Sequence, residues 1–104
     1  MISVTVTRKD DSIREITVSG HAGYATHGKD VVCAAVSSIA QTALLGLMRY
    51  EDKVEYQREE DGYLRIVVPE GKNHSIAQAI AETAVLGLKD IASGYGTFVK
   101  VEEK

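Results

Sequence analysis

The residues best suited to chemistry lie in one stretch, "GHAGYATHGKDVVCAAVSS", which runs from Gly20 to Ser38. This stretch contains the only cysteine of the chain, Cys33, and two of its three histidines, His21 and His27. A thiol and an imidazole in contact form a nucleophile and a base, because the thiolate attacks a carbonyl carbon while the histidine moves the proton. The stretch therefore predicts cysteine-based nucleophilic chemistry if the fold brings the two groups together.

Cys33 is expected close to the start of a helix. Asp30 is a suitable N-cap, which would place Cys33 at the third helical position, beside unpaired backbone N–H groups and the positive end of the helix dipole. These surroundings favour the thiolate, the reactive form of cysteine. The alternative is that Cys33 is a small buried apolar residue. Ser37 follows on the same helix face, where it could hydrogen-bond a substrate, support the thiol, or simply be a small residue at a helix contact.

The segment before this helix is expected to be a glycine-rich loop. His21 ends the second strand or begins the loop, and a rigid strand end could aim its side chain at Cys33; otherwise it only caps or hydrogen-bonds the loop. Gly20 and the other glycines permit positive φ and allow the loop to move, so that it could close over an extended peptide. The residues expected to form this mobile loop are Ala22, Gly23, Tyr24 and Gly28.

Alternating and helical patterns along the chain predict seven elements in the order ββαββαβ. Strands are expected at 2–8, 12–19, 53–60, 63–69 and 97–102, and helices at 31–49 and 75–93. Because the strands come in adjacent hairpins, the sheet should be largely antiparallel, with both helices on one face. The fold class is therefore a two-layer α+β arrangement in a single domain over residues 1–104.

An internal similarity relates the two helices. Residues 38–47 read "SIAQTALLGL" and residues 79–88 read "AIAETAVLGL", identical at seven of ten positions at an offset of 41. Two ββα units in tandem would explain this, and so would chance likeness of Ala/Leu-rich helices. Gly46 and Gly87 occupy matching positions. Each destabilises a helix interior by about 1 kcal/mol relative to alanine, and a close approach of the helices would explain why glycine is present. The strand-to-helix link should be longer in the first half, about eleven residues against five, which favours a functional loop there.

Composition excludes several classes of function. The chain has 104 residues, 44% of them hydrophobic, with a net charge of -3, which argues against broad binding to nucleic acid or to an anionic membrane. One cysteine and three scattered histidines give neither a disulfide nor a zinc-binding spacing, so no metal or cofactor is expected. No signal peptide is evident, and no apolar run approaches the roughly 18–20 residues of a membrane span. A soluble cytoplasmic protein is expected.

The pattern Gly20-His21-Ala22, a glycine-rich loop, Gly28, Asp30 and then Val32-Cys33-Ala34-Ala35-Val36-Ser37 resembles the motif region of the bacterial ribosomal-processing cysteine proteases, the Prp family. The resemblance covers nearly the whole chain, because the length and element order also fit. It implies that Cys33 is the nucleophile and His21 the general base. Gly20, Asp30 and Ser37 are then motif residues that support the site, and whether Asp30 is a third catalytic residue stays open.

The resemblance also implies an activity. Such enzymes are cysteine endopeptidases, and homodimers, that remove a short hydrophobic N-terminal extension from the twenty-seventh large-subunit ribosomal protein. A pocket for a bulky apolar side chain is expected, and helix-start N–H groups are candidate oxyanion donors. The alternatives are a non-catalytic dimeric binding protein or ribosome-assembly factor, and a thiol hydrolase of small esters.

Overall fold

The computed structural model describes residues 1–20, 27–60 and 62–104, with residues 27–30 described by their backbone alone. Its elements follow the expected order ββαββαβ. The strands are β1 (Ile2–Lys9), β2 (Ser12–Ser19), β3 (Tyr56–Glu59), β4 (Tyr63–Val67) and β5 (Val99–Glu103). The helices are α1 (His27–Tyr50) and α2 (His74–Gly94).

The five strands form one mixed sheet in the order β3-β4-β2-β1-β5. Three neighbouring pairs, β1/β2, β2/β4 and β3/β4, are antiparallel, so the expected largely antiparallel sheet is confirmed. The fourth pair differs, because β5 runs parallel to β1, with Ile2 opposite Val99. A parallel neighbour requires a crossover rather than a hairpin, and α2 lies in the connection that provides it.

The core lies between the sheet and the two helices. Alternate residues of β1 and β4 are buried, such as Val4 and Val6 of β1, which is the pattern of a sheet with one covered face. Leu47 of α1 and Leu88 of α2 are at most 1% exposed and close the core from the helical side. Within the described ranges the buried side chains are all aliphatic, and their burial removes apolar surface from water.

The two helices approach closely at the two matched glycines. A Cβ on Gly46 would lie 3.4 Å from Cγ2 of Ile80, and a Cβ on Gly87 would lie 3.2 Å from Cδ1 of Ile39. The two contacts are reciprocal, since Ile39 and Ile80 are themselves separated by the 41-residue offset of the repeat. The contact at Gly87 is tighter than an ordinary Cβ contact and favours glycine, whereas the contact at Gly46 is an ordinary van der Waals distance.

The start of α1 differs from the prediction. The helix begins at His27, one turn before the expected start, so Asp30 is not its N-cap and Gly28 belongs to the helix rather than to a loop. The strand-to-helix links cover residues 20–26 and 68–73, and the expected large difference in their lengths is wrong. Gly28 and Asp30 are poor helix formers, but burial of the apolar face of a long helix outweighs such local costs.

The segment Val31–Tyr50 of α1 is long and apolar enough, by length and composition, to cross a membrane. The expectation that no segment reaches this threshold is therefore wrong. The inner face of the segment is buried, with Val32, Val36 and Leu47 at most 2% exposed. The core explains only this inner face, because Val31 and Leu45 on the outer side of the same segment are each 66% exposed.

Candidate active site

A groove of about 260 Å³ opens between α1 and the β3–β4 hairpin. Its apolar lining comes from the start of β1, the end of β2, the inner face of α1 and β4, namely from Ile2, Val18, Val36, Ala40 and Leu64. Its rim carries charged and aromatic side chains of the hairpin, including Arg58, Glu60 and Tyr63. An apolar trough with a polar rim suits an extended peptide that inserts a bulky apolar side chain.

Cys33 lies on the α1 wall of this groove. Its side chain is half-buried, packing against the core on one side and lining the groove on the other. The thiol is therefore not sealed in the interior, and a ligand in the groove would reach it. Ser37 and Gln41 line the same wall at successive intervals of four residues, which places all three on one face of the helix.

The earlier start of α1 changes the expected surroundings of Cys33. Counted from His27, Cys33 lies in the second turn, where a backbone N–H donates to the carbonyl four residues before it. The helix dipole acts mainly within the first turn. The expectation that unpaired helix-start N–H groups surround Cys33, as thiolate stabilisers or oxyanion donors, is therefore wrong.

Gly20 also lines the groove, at the point where β2 ends. Its φ is +83°, and a Cβ at this position would lie only 2.6 Å from the carbonyl oxygen of Met1. Both facts require glycine, since a side chain would be strained by the backbone angle and would collide with the first residue of the chain. Gly20 thus supports the site through its backbone, and it brings the chain to the groove immediately before His21.

Other predicted site residues are only partly described. His21, Ala22, Gly23 and Tyr24 lie outside the described residues, so the pairing of His21 with Cys33 stays a prediction. The side chain of Asp30 is also outside the described part, although its backbone belongs to the first turns of α1. Among the described side chains, no group of three histidine, cysteine, aspartate or glutamate residues is placed to hold a metal ion.

Two residues of the groove were missed by the sequence analysis. Nε2 of Gln41 donates a hydrogen bond to Oγ of Ser37 at 2.7 Å. Nη1 of Arg58 on β3 donates to Oε1 of Gln41 at 3.3 Å. The eight-residue spacing from Cys33 to Gln41 could have revealed the first contact, because it continues the same helix face. Nothing in the sequence indicated Arg58, since its contact depends on where the edge strand meets α1.

Comparison with known protein families shows which family the sequence matches. The sequence profile described as "Cysteine protease Prp" matches residues 1–100. The chain belongs to this family. A Prp relative, the ribosomal processing cysteine protease of Bacillus subtilis (strain 168), is 31% identical over 108 aligned residues, which cover 97% of this chain and 96% of the relative.

Solved structures agree with this placement in the Prp family. A Streptococcus mutans protein, SMU.848, is 28% identical, with a TM-score of 0.84 over 99% of this chain and 93% of that one. The Staphylococcus aureus ribosomal processing protease Prp, crystallised in complex with a substrate peptide, is 22% identical and has a TM-score of 0.88 over the whole of both chains. The α+β fold is thus the Prp fold, and the family name identifies a cysteine peptidase.

Proposed function

We propose that this chain is a cysteine endopeptidase that removes a short hydrophobic N-terminal extension from the twenty-seventh large-subunit ribosomal protein. The observation that carries the proposal is the position of Cys33, half-buried on the wall of a largely apolar groove of about 260 Å³. Family membership supports it, because the B. subtilis relative is named a ribosomal processing cysteine protease. The catalytic unit is a single domain over residues 1–104.

The reaction is acyl transfer by a Cys-His dyad. His21 holds the proton of the Cys33 thiol, and the thiolate attacks the scissile carbonyl carbon to form a C–S bond while the carbonyl electrons move to oxygen. The C–N bond then breaks, and the histidine gives its proton to the leaving amine. Water attacks the thioester in the same way and releases the acid product. Gly20 supports this assignment of His21, because its backbone lies in the groove that Cys33 lines.

The apolar trough receives a bulky side chain beside the scissile bond. Val18, Leu64 and Val36 are buried residues that line it, so an aromatic or aliphatic side chain entering there loses contact with water. A hydrophobic extension supplies side chains of this kind. The substrate is a protein, and no nucleic acid is a direct partner.

The protein acts in the cytoplasm as a homodimer. An apolar groove on the outer face of the helical layer supports the second part of this proposal, and its walls include Ile39 and Ile80 beside the paired glycines. Leu45 and Leu86 are 66% and 68% exposed on the same helices. A second copy of the chain, docking through the same face, would bury these side chains.

The test of the endopeptidase proposal is cleavage of a synthetic peptide that carries the hydrophobic extension and the first residues of the mature ribosomal protein. We expect one cut, at the end of the extension, located by mass spectrometry. Cys33→Ala should abolish the cut because the nucleophile is gone, and His21→Ala should slow it roughly 10²–10⁴-fold because proton transfer is lost.

The controls separate the alternatives. Gln57→Met changes an exposed residue of β3 and should cleave like the wild type. Binding of the peptide without any Cys33-dependent cleavage would instead identify a binding or ribosome-assembly protein. Faster turnover of simple esters than of the peptide would identify a thiol hydrolase.

A further inference from the structure

We propose that the Ser37 hydroxyl donates a hydrogen bond to the oxyanion formed at Cys33, and that Gln41 and Arg58 hold that hydroxyl in its donating orientation. The inference rests on the proposed acyl-transfer function. It assigns one further catalytic residue, Ser37, and two positioning residues that act through it.

The direction of the hydrogen bonds is fixed by Arg58. A guanidinium group has only donors, so the atom of the Gln41 side chain that faces it must be the carbonyl oxygen. The NH₂ group of Gln41 therefore faces Ser37 and donates to its oxygen at 2.7 Å. A hydroxyl has one hydrogen and two lone pairs. Because Ser37 accepts from Gln41, its own hydrogen is not used in that contact and can be donated elsewhere.

The helix geometry directs this hydrogen toward the nucleophile. Side chains of an α-helix lean toward its N-terminus, and residues four apart have Cβ atoms about 5–6 Å from each other. The bond from Gln41 back to Ser37 follows this lean, and the next group in the same direction on the groove wall is Cys33. An oxygen attached to a carbon bonded to the Cys33 sulfur would lie between the two residues, within reach of the Ser37 hydroxyl.

The position of Cys33 in α1 creates the need for such a donor. Since the helix begins at His27, the N–H groups around Cys33 are used by the helix itself. When the thiolate attacks, the carbonyl pair moves to oxygen, and that negative charge needs a donor that is not already paired. Among the residues that the structure describes, Ser37 accepts from Gln41 and has no recorded acceptor of its own. The carbonyl of Cys33 is its main competitor as an acceptor, because serine hydroxyls in helices often donate to the residue four positions earlier.

The experiment compares acylation with alkylation of Cys33. Two acyl substrates are used, the extension peptide and p-nitrophenyl acetate, since both form an oxyanion at the attacked carbonyl. Iodoacetamide alkylates the same thiol by displacing iodide, a step that forms no oxyanion. The variants are Ser37→Ala, Gln41→Met, Arg58→Met and the double variant Ser37→Ala/Gln41→Met. Gln57→Met on β3 is the matched control.

We expect Ser37→Ala to lower kcat about 10²-fold, the usual loss of one oxyanion donor. Gln41→Met and Arg58→Met should lower kcat by roughly three- to tenfold, as expected for loss of a hydrogen bond, with KM little changed. The double variant should be no slower than Ser37→Ala, because Gln41 acts through Ser37. Alkylation rates and thermal unfolding midpoints should match the wild type in every variant, and Gln57→Met should match it in all assays.

Three results would overturn the inference. They are an unchanged kcat in Ser37→Ala or Gln41→Met, losses that multiply in the double variant, and an alkylation rate that falls in parallel with kcat. Failure of the proposed function is distinguishable from these. If the wild type hydrolyses the ester but not the peptide, the endopeptidase assignment is wrong. The role of Ser37 can still be measured with the ester. A wild type that acylates with neither substrate overturns both.

Discussion

At the scale of single residues, Gly20 and Cys33 belong to the same motif for different physical reasons. Cys33 is exposed to the groove, as a nucleophile requires. Gly20 contributes no side chain and is needed because its backbone has a positive φ and passes close to Met1. The sequence revealed which residue types could react, but the contact of Gly20 with the N-terminal residue depends on strand pairing and could not be predicted from local pattern.

Gly20→Ala should therefore act on stability. A left-handed backbone angle costs a non-glycine residue about 1–2 kcal/mol, and the collision with Met1 adds to this cost, so we expect the free energy of unfolding to fall by at least about 1 kcal/mol. Urea denaturation measures it. Gly94→Ala is the matched control, because a Cβ there meets nothing within 4 Å, and it should be neutral or slightly stabilising. Equal stability of Gly20→Ala and wild type would contradict this explanation of the glycine.

At the scale of elements, most strands and helices were predicted close to their observed positions because their apolar periods are strong. The third strand was predicted at 53–60, whereas β3 covers only Tyr56–Glu59 and is exposed throughout. β2 has the predicted bounds, and α2 differs by one residue at each end. The start of α1 was missed because Gly28 and Asp30 resemble a loop and a cap locally. The energy that makes them helical comes from packing of the rest of the helix, which a local pattern does not contain.

An ion pair joins elements that are distant in sequence. Arg8 of β1 donates from Nη1 and Nη2 to both carboxylate oxygens of Glu82 on α2, at 2.7 and 2.9 Å. It also contacts Glu103 of β5. The hydrogen bonds from Arg8 lower the pKa of the Glu82 carboxyl below its usual range. The folded protein therefore binds the Glu82 proton more weakly than the unfolded chain does, and the pair stabilises the fold above the ordinary glutamate pKa.

This stabilisation should disappear in acid. We expect Arg8→Met to lower the free energy of unfolding by about 0.5–1 kcal/mol at pH 7, since the pair is partly exposed. As the pH falls below about 4.3 and through the lowered pKa of Glu82, the difference from wild type should vanish, because the carboxylate is protonated in both proteins. Urea denaturation over a pH series measures this. A difference that stays constant from pH 7 to pH 3 would show that Arg8 acts through packing instead.

At the scale of the whole molecule, adjacent hairpins and two helices were enough to predict a two-layer α+β fold. They were not enough to predict the sheet order, because the parallel pairing of β5 with β1 depends on where the chain returns after α2. The groove could not be predicted from the sequence either. Its walls come from both halves of the chain, so Arg58 and Gln41 meet only in the assembled structure.

The proposed homodimer is tested at this scale. The double variant Leu45→Glu/Leu86→Glu places charge on the exposed apolar face of the helices, so a dimer formed through that face should dissociate. Light scattering after size-exclusion chromatography should give twice the 11.3 kDa chain mass for wild type and for the control Gln57→Glu, and one chain mass for the double variant. A wild type that is monomeric at tens of micromolar would contradict the dimer proposal.

In the proposed mechanism, the Cys33 sulfur itself opens the peptide bond. Intact-mass spectrometry of the protein, quenched in acid within the first turnover of the extension peptide, tests it most directly. We expect a transient increase equal to the mass of the released N-terminal fragment less one water, located on Cys33 by digestion and absent from Cys33→Ala. Peptide cleavage that proceeds in Cys33→Ala at the wild-type rate, with no adduct at any quench time, would contradict the account.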